Sequence, residues 1–80
     1  MKAVLVVRLK PEIADPSGQV ISDRLMELGY SEIKDVRVGK VVEIDLDAAD
    51  KDSATSRIKH MCEQLLVNSV IEEYAIVSLQ

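Results

Sequence analysis

Asp35-Val36-Arg37-Val38-Gly39-Lys40-Val41-Val42-Glu43-Ile44-Asp45-Leu46-Asp47 lies mid-chain and decides how the polypeptide folds. Its second half alternates cleanly: Val42, Ile44 and Leu46 share one parity, and Glu43, Asp45 and Asp47 share the other. That is a strand with one buried and one wet face. Upstream, Ile33 to Val38 alternates more loosely, with Val36 and Val38 on one parity. Gly39-Lys40 separates the two runs. Two arrangements fit. One is a two-residue hairpin in which Gly39 supplies the positive φ of a type II′ turn. The other is one long strand bent at Gly39.

Working outward, residues 3 to 9 are apolar and β-branched and are bounded by Lys10-Pro11. Ala3, Leu5, Val7 and Leu9 lie on one face and Val4 and Val6 on the other, as in a strand covered on both sides. Asp15-Pro16 starts a helix, because the Asp side chain accepts a backbone N–H and Pro at the first position loses no hydrogen bond. Val20, Ile21, Leu25 and Leu28 form its apolar stripe, and Gly29 stands where a left-handed cap ends it, so the helix spans about 16 to 28. Asp47 or Asp50 caps a second helix, whose stripe is Ala54, Ile58, Met61, Cys62 and Leu65. Asn68 is placed to close that helix in a left-handed conformation, and residues 70 to 79 form the last strand.

The resulting order is β-α-β-β-α-β, which predicts an α+β ferredoxin-like sandwich with two helices on one face of an antiparallel sheet. Right-handed crossovers place the first and third strands at the centre. Residues 1–80 make a single domain, with no linker or low-complexity segment.

Composition removes several classes of function. The chain is 48% hydrophobic and 30% charged, which is globular rather than disordered. A net charge of −4, two Tyr and no Phe or Trp argue against nucleic acid, which needs a basic face and aromatic platforms. The first apolar stretch, Ala3 to Val7, is too short for a signal sequence or a membrane span. With one Cys there is no disulfide framework, so a cytoplasmic location is expected. A domain this size buries only about 60–65% of its unfolded surface, and small domains commonly add a staple. Disulfides are excluded, and zinc would lack ligands, which leaves oligomerisation.

No catalytic set is legible. His60 is the sole His and lacks a neighbouring nucleophile or an orienting motif. Cys62 lies on the apolar stripe beside Glu63, where a thiol is a packing group rather than a nucleophile. Glu43, Asp45, Asp47, Asp50 and Asp52 lack the Gly and terminal Glu of a calcium loop. They read as a wet strand face followed by a helix N-terminus. Gly18 and Gly39 belong to no phosphate loop.

One surface stands out. Val4, Val6, Val41, Tyr74 and Ile76 are assigned to the parity pointing away from the helices, where a monomer would meet water. An apolar patch of that kind marks an interface. A symmetric homodimer is expected there, with Arg8 facing Glu43 or Asp45 beside it.

The order of short motifs resembles the PurS family. Leu9-Lys10, Asp15-Pro16-Ser17-Gly18 and Leu28-Gly29-Tyr30 are similar to its first half. Asp35 to Lys40 resembles the family's DVRxGK stretch, and Met61 to Tyr74 its MCxxLLxNxVIExY stretch. Ser17 replaces a common Gln and Val67 a common Ala. The resemblance runs over nearly the whole chain. It implies a required but non-catalytic subunit of phosphoribosylformylglycinamidine synthase in purine biosynthesis. Such a subunit joins a PurQ-type glutaminase to a PurL-type synthetase so that ammonia passes between them. ATP and Mg would belong to the synthetase, with no cofactor in this subunit. The chain would associate with itself as a homodimer or dimer of dimers. Asp15, Gly29 and Asn68 match cap positions and Gly39 the turn, while Arg37, Lys40 and Glu72 are expected at partner contacts. An ACT-like ligand-binding regulatory domain shares the element order. It would call for a Gly-rich first loop, which is absent.

Overall fold

The first strand forms as β1, Lys2–Leu9, at the centre of the sheet in the computed structural model, which describes residues 1–80. The chain continues through α1 (Pro16–Glu27), β2 (Gly39–Asp45), α2 (Lys51–Met61), a π-helical turn (Cys62–Leu66) and β3 (Glu72–Leu79). The sheet order is β2-β1-β3, and β1 runs antiparallel to both neighbours. The α+β class is as expected from the sequence. The sheet, however, has three strands rather than four, because residues 33–38 stay outside it.

Those residues spend their polar groups elsewhere. The Val38 N–H donates to the Asp15 carboxylate at 2.7 Å, and the Arg37 guanidinium donates to the Lys10 carbonyl at 2.9 Å. The segment lies across the first turn of α1 so closely that a Cβ on Gly18 would collide with the Val36 carbonyl oxygen. Gly39 is no turn residue either. It opens β2 opposite Arg8, and Gly29 is the sole residue with positive φ, +99°. The hairpin reading is therefore corrected. Gly39 is needed because a Cβ would meet the Val7 carbonyl oxygen at 2.8 Å.

Both helix starts follow the sequence rules. Asp15 Oδ1 accepts from Gly18 N–H at 2.9 Å, and Asp50 Oδ1 accepts from Ser53 N–H at 2.7 Å. The end of α1 is a Schellman closure: Gly29 N–H bonds the Met26 carbonyl and Tyr30 N–H the Leu25 carbonyl, both at 3.0 Å. The end of α2 departs from expectation. Asn68 has no positive φ. The helix instead widens into the π turn, closed by Val67 N–H on the Cys62 carbonyl. One extra residue per turn shifts the stripe, so Leu66 rather than Leu65 packs inward, and Leu65 is 84% exposed.

The core joins Ala3 and Leu5 of β1 to Ile58 of α2 and Cys62, all at most 1% exposed. Val42, Ile44, Leu46, Leu66, Tyr74, Ile76 and Leu79 pack around them. Tyr74 and Ile76 therefore face the helix, which corrects their placement on the open face. They stand opposite Val7 and Leu5, whose side chains point inward. A bulge between Val4 and Leu5 then adds one residue to β3, so Leu79 rather than Ser78 returns to the core. Val4, Val6 and Val41 do lie on the open side, joined by Ala75 opposite Val6.

The expected second covering helix is missing from this core. No α1 residue belongs to it. The molecule measures 51 × 25 × 14 Å with a radius of gyration of 16.0 Å. A compact chain of this length would have about 12 Å. Leu9 and Gly39 leave the sheet at the same end, so residues 10–38 form an arm off that end.

Candidate functional site

The base of the arm gathers several bonded polar groups. Asp15 bridges α1 and the returning segment, one oxygen on Gly18 N–H and the other on Val38 N–H. The Val38 bond, then the Gly18 bond, holds its carboxyl below the usual carboxylate range, with Arg37 adding a smaller pull. A cleft of about 470 Å³ opens beside it, lined by Gln19, Ser22, Lys34, Asp35 and Arg37. A second, of about 360 Å³, lies between Arg8, Pro11, Asp35, Arg37 and Glu73. Charges of both signs line these clefts, the chemistry of a recognition surface.

Arg37 is thus tied to the Lys10 carbonyl and lines both clefts. Lys40 is exposed on β2, across from Val7. Glu72 has a structural task that its sequence position hides. Its carboxylate accepts from Asn68 N–H at 2.7 Å, while the Asn68 carbonyl accepts from Glu72 N–H at 2.7 Å. Asn68 Oδ1 also accepts from Val70 N–H at 3.1 Å. Asn68 and Glu72 therefore close a turn that launches β3, and Lys10 Nζ clasps it through the Ser69 carbonyl at 2.7 Å. The structure does not bring Arg37, Lys40 and Glu72 together into one cluster by any mutual hydrogen bond.

Reactive groups point away from catalysis. Burial, with a smaller contribution from Glu63, pushes the Cys62 thiol up, opposite to what a nucleophile needs. Tyr74 is also pushed up, first by burial and then by Cys62 and Glu63 beside it. No helix is long and apolar enough to cross a membrane.

Three apolar surfaces remain open. One is the sheet face with Val4, Val6, Val41 and Ala75, flanked by the ion pairs Lys2–Glu43 at 3.5 Å and Arg8–Glu73 at 3.4 Å. Arg8 thus pairs with β3 rather than with Glu43 or Asp45, because its partner on β2 is Gly39. The second is the α1 stripe: Val20, Ile21 and Leu28 are 62%, 43% and 70% exposed. The third is a groove of about 320 Å³ lined by Ile44, Met61, Gln64, Leu65 and Leu66. The sequence shows the α1 stripe but not its exposure, and it shows neither the groove nor the task of Gly18. Its one available signal was a glycine in the first turn of a helix, unfavourable by about 1 kcal/mol relative to Ala unless something needs the space.

Comparison with known proteins bears directly on this arrangement. The sequence matches, over residues 2–80, the family model described as PurS, phosphoribosylformylglycinamidine (FGAM) synthase. It is 44% identical to the phosphoribosylformylglycinamidine synthase subunit PurS of Mycobacterium leprae, over 94% of this chain and 91% of that protein. The crystal structure of the purS subunit from Thermotoga maritima superposes with a TM-score of 0.87 at 35% identity, covering 98% of this chain and 90% of that one. A chain in the structure of PurLQS from Thermotoga maritima gives 0.84 at 32% identity, covering 99% of each.

Proposed function

The chain belongs to the PurS family, and from that premise we propose that it works as the small, non-catalytic subunit of an FGAM synthase, a glutamine-dependent ligase. The observation that carries this reading is the full-length match, 99% of each chain, to a chain of PurLQS. The residues agree with it: a buried thiol pushed up rather than activated, and apolar surface without partners within the chain.

On this reading the subunit seats a PurQ-type glutaminase against a PurL-type synthetase, so that ammonia released by one is used by the other before it meets bulk water. ATP and Mg belong to the synthetase, and the reaction is cytoplasmic. Arg37 and Lys40 supply exposed positive charge for a partner, and the mixed charges beside Arg37 would set its orientation. Glu72 contributes through the 68–72 turn that presents its neighbours. The open face, Val4, Val6 and Val41 with Ala75, is a self-association surface for dimers that pair again.

Reconstitution tests the subunit reading. Amidine formation from formylglycinamide ribonucleotide, glutamine and ATP is measured with the matching PurL and PurQ, with and without this chain. Glutamine-dependent turnover should require the chain, and the chain alone should turn over neither glutamine nor ATP. Full turnover in its absence would contradict the assignment.

A further inference from the structure

Residues 10–38 are tied to the sheet at one point. No α1 residue enters the core, and the Asp15 bonds to Val38 and Gly18 run within the arm, lacing its outgoing and returning limbs together. The hydrogen bonds that cross from residues 10–38 to the rest of the chain are both made by Lys10. Its backbone N–H donates to the Ile71 carbonyl at 2.8 Å, and its Nζ donates to the Ser69 carbonyl at 2.7 Å. No ion pair crosses the same boundary.

The Lys10 carbonyl serves the other side. It accepts from the Arg37 guanidinium and from the Ile13 N–H, both at 2.9 Å. One residue thus places its donors on the turn before β3 and its acceptor on both limbs of the arm. The turn it grips is closed by the reciprocal 2.7 Å bonds of Asn68 and Glu72. The cleft of about 360 Å³ spans this joint. Pro11, Asp35 and Arg37 line it from the arm, and Arg8, Leu9 and Glu73 from the sheet. Each wall therefore carries one cation and one carboxylate. The separation of the walls follows the angle at which the arm leaves the sheet, and Lys10 fixes that angle.

We infer that Lys10 is a positioning residue for the docking of this subunit. Its ammonium, a charged donor on a backbone carbonyl, sets the arm against the 68–72 turn. The charges of Arg8 and Glu73 on one wall and Asp35 and Arg37 on the other are then held at a preset spacing. A partner subunit bearing complementary charges does not have to order them on binding. The inference rests on the subunit reading for the identity of that partner, and not for the setting of the arm.

Two variants test it. Lys10→Met removes the ammonium and keeps the aliphatic stem and the backbone bonds, and Lys10→Arg returns a cationic donor. With the matching PurL and PurQ, the concentration of this chain that gives half-maximal glutamine-dependent amidine formation should rise about tenfold in Lys10→Met. Turnover at saturation and melting temperature should stay unchanged, and Lys10→Arg should restore the half-maximal concentration. An unchanged concentration in Lys10→Met would overturn the inference. So would a loss that Lys10→Arg does not restore, or one that follows a fall in melting temperature. A second measurement needs no partner. Spin labels are placed through Glu27→Cys on the arm and Ser56→Cys on α2, both exposed, while Cys62 is buried. The doubly labelled chain is diluted with unlabelled protein, and the label separation is read by pulsed electron resonance. The distribution should be narrow with Lys10 and broaden with Lys10→Met, and equal widths would overturn the positioning role. A wild-type chain that PurL and PurQ do not need, with a distribution that still broadens in Lys10→Met, would refute the subunit reading and leave the joint standing.

Discussion

The sheet with α2 and the arm of residues 10–38 are built from similar apolar patterns and end in opposite situations. In the first, Ala3, Leu5, Ile58 and Cys62 are sealed within the chain. In the second, an equally regular stripe at Val20, Ile21 and Leu28 faces outward. Amphipathic pattern fixes that a face will be buried, and it does not fix by which molecule. The arm is held by polar bonds at its base, and its apolar stripe stays exposed within the chain.

The largest expected effects lie in the sealed half. Ile58→Ala should cost about 2–5 kcal/mol in denaturant unfolding, since it leaves a cavity in the centre of the core. Val20→Ala, at an exposed site of the arm, should change the stability of the dilute, dissociated chain by less than about 0.5 kcal/mol. Comparable losses at both sites would erase the contrast.

Gly39, at the join of the two regions, comes next. Gly39→Val should cost about 1–3 kcal/mol, because its Cβ meets the Val7 carbonyl oxygen. Gly39→Asn sharpens the cause. A left-handed position tolerates Asn, whereas a close approach rejects any Cβ, so Asn should be as harmful as Val in thermal melts. A harmless Asn would restore the turn reading.

That difference shows what a sequence exposes. The alternation of Val42, Ile44 and Leu46, the Asp15-Pro16 start and the Gly29 stop are local, and each formed as read. The sequence marks Gly39 as special but suggests a turn, because a close approach by Val7 is not written near it in the chain. The sequence alone puts Tyr74 and Ile76 on the wrong face because β3 is apolar on both parities, so only its register with β1 decides which side is buried. Leu65 and Leu66 exchanged roles through a single π turn. Of the candidate site, the apolar Val4, Val6 and Val41 were legible. Glu72 was not, since its bond to Asn68 N–H depends on a turn visible only in three dimensions.

A smaller effect is confined to the base of the arm. The Asp15 carboxyl is held below its ordinary value of 3.8 in the folded chain. Its contribution is therefore complete above that value and fades as pH falls through the lower folded one. Protection of the Val38 amide against hydrogen exchange should drop in that acid window, and Asp15→Asn should weaken it at neutral pH. The core amides of β1 should stay protected in the variant. Equal loosening of β1 would mean that arm and sheet are one cooperative unit.

The claim that this chain is a required but non-catalytic subunit is tested most directly by reconstitution with the matching PurL and PurQ. Glutamine-dependent amidine formation is predicted only when the chain is present. Full turnover without it would contradict the account.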